Sequence, residues 1–173
     1  MGILKTITEE YFGNIIREED FIDIYGLDVE IVSFTDNNGK FHKRGYKPKD
    51  KDTLEKLLKR MIEVRGDEGD FNDIDTSNIK DMESLFKHNE TFNGNITGWN
   101  VSSVIDMSHM FAYATSFNQP IGKWKFPKVE NMSGMFSHAT SFNQDLSKWD
   151  LKGKDKIEIF YGCPIKNKYK PKM

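Results

Sequence analysis

Cysteine is almost missing from this chain. Cys163 is the only one in 173 residues, which excludes an internal disulfide framework and any zinc site built on a cysteine cluster. No apolar run approaches the ~18 residues of a membrane-spanning helix. The start, Met1-Gly2-Ile3-Leu4-Lys5, meets Glu9 and Glu10 before an apolar core can form, so no signal peptide is expected and the expected compartment is the cytoplasm. Gly2 with Thr6 at the sixth position matches the short myristoylation pattern, which many sequences match by accident. Net charge is only −2, so the overall balance points neither to nucleic acid nor to a membrane surface. The four histidines, His42, His88, His109 and His138, form no Ser–His–Asp or Cys–His spacing. Neither catalytic residues nor a metal or cofactor is expected.

What is present is aromatic. Hydrophobic residues make up 37% and mean hydropathy is −0.64, yet 13% of the chain is aromatic, with 13 Phe. Disordered chains are poor in such rings, so a packed core is expected. The rings fall in a 25-residue register. Trp99, Trp124 and Trp149 are all the tryptophans there are, and they keep this spacing. So do Phe92, Phe117 and Phe142; Phe86, Phe111 and Phe136; Met82, Met107 and Met132; and Asn93, Asn118 and Asn143. The register fades at both ends. Ile74 stands in the Trp column, and after Trp149 the apolar columns pass to Leu151, Ile157, Phe160 and Tyr161. Degenerate outer repeats are what caps require.

Each repeat reads as a short extended stretch, such as Trp99-Asn100-Val101, then about two helical turns and a tight return. Ser108 and Ser133 stand where they could cap short helices carrying Met110, Phe111 and Ala114, or Met135, Phe136 and Ala139. One repeat cannot bury its Trp and two Phe alone. Stacked, its three rings contribute about 11–19 kcal/mol of gross burial before chain entropy. The expected fold class is therefore α/β: a leucine-rich-repeat-like solenoid of three to four 25-residue coils behind a helical N-cap, with a small α+β appendage in front.

The stretch Val101-Ser102-Ser103-Val104-Ile105-Asp106-Met107-Ser108-His109-Met110-Phe111, continuing to Phe117-Asn118-Gln119, resembles the BspA-like bacterial surface-protein repeat, also called DUF285. The resemblance covers about residues 50–165. It departs at Pro120 and at Lys125-Phe126-Pro127, which bear on surface chemistry more than on fold. It implies a solenoid for recognition or adhesion, no catalytic residues, and a cell-surface location as the alternative to the cytoplasm.

Outside the repeats, residues 50–65 carry Leu54, Leu57, Leu58 and Met61 at helical spacing, with Asp52 as expected N-cap, Glu55 closing a capping box and Gly66 as stop. Thr6 and Glu9 suggest another helix through Tyr11, Phe12, Ile15 and Ile16. Val29–Phe34 reads as a strand, Asp36-Asn37-Asn38-Gly39 as a hairpin turn, and Lys40-Phe41-His42-Lys43 as the return. Tyr46-Lys47-Pro48-Lys49 reads as a linker and Tyr169-Lys170-Pro171-Lys172 as a frayed end. The expected divisions are 1–46 (appendage), 47–66 (linker and capping helix), 67–165 (repeats) and 166–173 (basic tail).

Charge is segregated: −1 over 1–66, −6 over 67–150 and +5 over 151–173. The asparagine column reads as a ladder bonding turn backbone, and Asp81, Asp106 and Asn131 as turn caps lacking the dense oxygens of a calcium site. His88 and His138, with Tyr113 between them, are expected about 10 Å apart, too far to share one zinc. The expected function is non-enzymatic recognition of a protein partner. Candidate contacts are Asn100, Lys125 and Asp150 after the Trp column, Ser103 and Lys128, His109, and Phe41 and His42 of the hairpin. The alternative is a nucleic-acid-associated protein using basic residues within 40–49 and 152–172, which would bind with a steep salt dependence.

Overall fold

The computed structural model describes residues 26–172. The helix expected around Tyr11–Ile16 lies outside them. Two strands, β1 (Val29–Thr35) and β2 (Phe41–Pro48), pair antiparallel from Val29↔Pro48 to Thr35↔Phe41, with an irregularity between Val32 and Phe34. Their turn is closed by Asp36, whose Oδ1 accepts from Asn38 N–H at 2.9 Å and Lys40 N–H at 3.0 Å. A lone hairpin is marginal in water, and this one is tied down at both ends. At its tip Asn37 N–H donates to Gly98 O at 3.0 Å, and Asn37 Nδ2 to Trp99 O at 2.6 Å. At its far end Tyr46 N–H donates to Asp73 O, and Tyr46 O accepts from Asp75 N–H. Tyr46 and Lys47, read from composition as linker, therefore lie inside β2, and Tyr46 is a core residue.

Inside the turn, the buried Asp36 carboxylate meets the buried His42 ring at 2.9 Å, with Phe34 stacked on that ring at 5.0 Å. Burial pushes the Asp36 carboxyl up. The His42 hydrogen bond, the Lys40 and Asn38 N–H groups and the imidazole charge outweigh it, so the carboxyl titrates below its ordinary 3.8.

Helix α1 (Lys51–Arg65) follows directly. Leu54, Leu57, Leu58 and Met61 are buried along one face. Its N-cap is Asp50, not Asp52: the Asp50 carboxylate takes both Thr53 N–H at 2.9 Å and Thr53 Oγ1 at 2.8 Å, two bonds from one residue. Gly66, at φ 76°, returns its N–H to Ile62 O at 2.8 Å and ends the helix. Arg65 then forks onto Asp73 with two contacts of 2.7 Å.

The expected α/β solenoid is overturned beyond this point. Among the described residues the only α-helix is α1, the only sheet is the two-stranded hairpin, and parallel pairing elsewhere is confined to isolated bridges such as Asp81↔Asp106, Asp106↔Asn131 and Asn131↔Asp155. The stretch at Trp99-Asn100-Val101 is not a strand, and no helix follows Ser108 or Ser133. The reason is local. Ser84, His109 and Gly134 have φ of 58°, 55° and 63°, and His88, Tyr113 and His138 have φ of 60°, 60° and 56°. Two left-handed residues four apart in every repeat prevent a right-handed helix. The backbone instead makes turn upon turn, as in Leu85 N–H to Met82 O, Lys87 to Ser84 and Asn89 to Phe86.

The intervening N–H groups reach the next repeat. Met82, Ser84, Phe86 and His88 donate to the carbonyls of Asp106, Ser108, Met110 and Ala112; Met107, His109, Phe111 and Tyr113 donate to Asn131, Ser133, Met135 and Ser137. Glu83 N–H, left over, goes to Asp81 Oδ1 at 2.7 Å. Every N–H from 82 to 89 is thus satisfied. This register stacks the rings. Phe86, Phe111, Phe136 and Phe160 follow one another at 5.5, 5.6 and 5.6 Å, while Phe92, Phe117 and Phe142 follow at 6.2 and 5.9 Å. Trp99, Trp124 and Trp149 are buried against them. The asparagine column is a side-chain ladder: Asn93 Oδ1 accepts from Asn118 N–H, Asn118 Oδ1 from Asn143 N–H, and Asn143 Oδ1 from Lys166 N–H, at 3.0, 3.0 and 3.1 Å.

The last repeat is one residue short. Met132, Gly134, Phe136 and His138 donate to Asp155, Ile157, Ile159 and Tyr161, so Phe160 and not Tyr161 continues the Phe136 column. Ile157 and Tyr161, placed in apolar columns by a strict 25-residue count, are 69% and 59% exposed, and Ile159 is buried instead. The tail is not frayed. A short 3-10 turn at Asn167–Tyr169 lets Tyr169 O accept from Leu146 N–H at 2.8 Å, and Pro171 is buried.

Two outcomes follow. Asn118→Ala strands the Asn143 N–H and leaves the Gln144 amide only its 2.8 Å bond to the Asn118 backbone carbonyl, and urea unfolding should show a loss of about 1–3 kcal/mol. Asp36 titrates below its ordinary value, so its contribution is full above that value and vanishes as pH falls through the folded one. The stability gap between wild type and Asp36→Asn should therefore narrow between about pH 7 and about pH 2.5 in denaturation experiments.

Candidate functional site

Aspartate and asparagine cap three turns in most repeats. Asp75, Asn100 and Asp150 accept from the N–H two residues on, at 3.0, 3.1 and 3.0 Å. Asp70, Asn95 and Asp145 do the same, as do Asp81, Asp106, Asn131 and Asp155. The third repeat breaks two of these columns. Pro120 replaces one cap, and Lys125 replaces another where the donor two residues on would be Pro127. Proline has no N–H, so a cap at 125 would have nothing to hold.

Lys125 is thereby released to the surface, where it rims a cleft of about 500 Å³. Trp124, Phe126, Pro127 and Trp149 form its apolar part; Lys148, Asp150, Lys152 and Lys154 complete it. Lys154 is engaged: its Nζ donates to Val129 O at 2.6 Å and lies 5.6 Å from the Phe126 ring centre. Lys125, Lys148 and Lys152 are exposed and have no ion pair among the described residues. Trp99 Nε1 donates to Phe71 O at 2.9 Å, whereas the buried Nε1 groups of Trp124 and Trp149 find no acceptor among the described residues. Nearby, the Asp145 carboxyl is held below its ordinary value by the Ser147 hydroxyl and N–H, and that of Asp155 by the Ser133 hydroxyl and Ile157 N–H. Burial pushes the Cys163 thiol up, so it stays protonated.

The sequence-selected residues separate accordingly. Lys125 and Asp150 meet at the cleft, and Asn100 is half-buried with its oxygen occupied by Ser102. Lys128 is exposed and Ser103 half-buried. His109 is half-buried, its ring against Gly134 in the space a side chain there would fill. Phe41 is 63% exposed on the hairpin, but His42 is buried on Asp36 and offers no surface. His88, Tyr113 and His138 form a stack of rings at 4.8 and 4.7 Å. Pro127 was noted only as part of a departure from the repeat, although a proline two places after the cap position already cancels the cap. Lys148 was not singled out, and it comes to the cleft only through the stacking of the repeats.

The sequence matches, over residues 54–170, the family described as "Mycoplasma protein of unknown function, DUF285". The chain belongs to the DUF285 family. No curated protein and no solved structure matches it. The DUF285 match begins inside α1 and takes in the whole cleft, while the hairpin precedes it. No helix among the described residues is long and apolar enough to cross a membrane.

Because Pro127 removes the donor, Lys125→Asn should leave stability within about 0.5 kcal/mol of wild type. Asn100→Lys removes a working cap and should cost about 1 kcal/mol. Urea denaturation of the two variants side by side measures the contrast.

Proposed function

We propose that this protein is a non-enzymatic recognition module that holds a protein partner at the lysine-rimmed cleft between Trp124 and Trp149. The observation that carries the reading is the set of three exposed lysines, Lys125, Lys148 and Lys152, with no ion pair among the described residues, around an aromatic and proline floor. Such a site offers both apolar contact and long-range attraction to an acidic surface. The resemblance to repeats of recognition and adhesion proteins supports the same class of function. The nucleic-acid alternative draws less support from residues 40–49, where Lys40, Lys47 and Lys49 are already paired with Asp70, Asp75 and Asp28 at 3.5, 3.5 and 2.9 Å.

The test is a pull-down with the full chain beside a Lys125→Glu/Lys148→Glu variant, each repeated after nuclease treatment. Both substituted residues are exposed, so the variant should fold. A protein that survives nuclease and falls at least about fivefold with the variant is the expected result. Retention by the variant, or loss on nuclease treatment, overturns the proposal.

A further inference from the structure

The hydrogen bonds between repeats have a direction. In the segment that starts at Met82, N–H groups at alternate positions donate onward, and the carbonyls facing them belong to the following repeat. The same holds at Met107 and at Met132. Only the flanking bonds, such as Ile105 N–H to Lys80 O and Ser116 N–H to Glu90 O, run the other way. No further repeat follows the shortened one among the described residues. Its carbonyls at Ile157, Ile159 and Tyr161 are taken by Gly134, Phe136 and His138, but the matching N–H groups of Glu158, Phe160 and Gly162 meet no acceptor among the described residues.

The end is thus half closed. Ile165 and Tyr169 cover the Phe142 and Leu146 side, with Lys166 N–H on Asn143 and Leu146 N–H on Tyr169 O. The row at 158–162 stays open, flanked by the exposed Ile157 and Tyr161. Around it, residues 151–173 carry seven lysines against Asp155 and Glu158.

We infer that this open row of backbone N–H groups is a docking edge for a carboxylate-rich, partly apolar segment of the protein partner. The inference rests on the recognition reading above and adds the chemistry of what is recognised. A row of donors without acceptors selects groups that only accept, and an ionised carboxylate is such a group. Lysines at the margin favour the same sign. A like edge from a second copy presents donors to donors and is excluded; at the opposite end of the repeats, α1 buries Leu54, Leu57, Leu58 and Met61 in the core. A polyphosphate backbone fits less well, because it brings no side chain for Ile157 and must pass the Glu158 carboxylate, whereas a peptide places its charges selectively.

The experiment is a titration of the 15N-labelled full chain with the octapeptide acetyl-Glu-Leu-Glu-Thr-Glu-Leu-Glu-Thr-amide. Expected are shifts at the amides of Glu158, Phe160 and Gly162 and about tenfold slower hydrogen exchange there. Raising salt from about 50 mM to about 300 mM should weaken binding about tenfold. Ile157→Asp with Tyr161→Asp, both at exposed positions, should abolish the shifts while the rest of the spectrum stays native. Silence of the three amides overturns the inference. So does tighter binding of a twelve-nucleotide oligothymidine to the same row, or protection that rises with protein concentration without peptide. Partner loss on Lys125→Glu/Lys148→Glu with silent amides leaves the cleft standing and removes the edge. Responding amides with partner binding unchanged in that variant do the reverse.

Discussion

Between successive repeats, backbone N–H groups at alternate positions all point the same way, and the rest of the structure follows from keeping them satisfied. Four such bonds at each full junction contribute about 2–6 kcal/mol net. They require that equivalent residues lie directly over one another. Once that holds, Phe86 must meet Phe111, and Phe92 must meet Phe117, at ring-stacking distance. The left-handed residues at His88, Tyr113 and His138 are the local cost of the arrangement. Each costs of order 1–3 kcal/mol where it is not glycine, so they persist only because stacking over-determines them.

Side-chain oxygens do a second task that backbone alone cannot. A chain made of turns leaves N–H groups that neither the turns nor the bonds between repeats satisfy. The Asx caps at Asp81, Asp106 and Asn131, and the amide ladder through Asn93, Asn118 and Asn143, take those donors. A cap position is open to other residues where this duty lapses. The third repeat is such a place, because Pro127 removes the donor and frees position 125 for a lysine.

Much of this was legible in the residues, for identifiable reasons. The ring columns and the asparagine column announce themselves by spacing, and α1 by the positions of Leu54, Leu57, Leu58 and Met61. The solenoid of strands and helices was not borne out. The residues Met110, Phe111 and Ala114 have a spacing compatible with a helix, yet nothing in their identities reveals that His109 and Tyr113 take positive φ. Non-glycine residues enter that region through tertiary stacking, which propensity does not see. The buried state of His42 was equally hidden, since it depends on Asp36 turning inward across the hairpin. The cleft was partly legible: Lys125 and Asp150 were singled out, whereas Lys148 needed the repeats to be stacked before it came beside them.

The residue missing between Lys154 and Asp155 also separates the length of the array from the design of its end. All full junctions use the same bonds in the same register, so a duplicated block of 25 residues could be inserted among them without a new kind of contact. The shortened repeat and the segment after it would keep their form behind the inserted block. Gene duplication could therefore lengthen or shorten the run of full repeats while the part bearing Ile157, Phe160 and Tyr161 stayed the same.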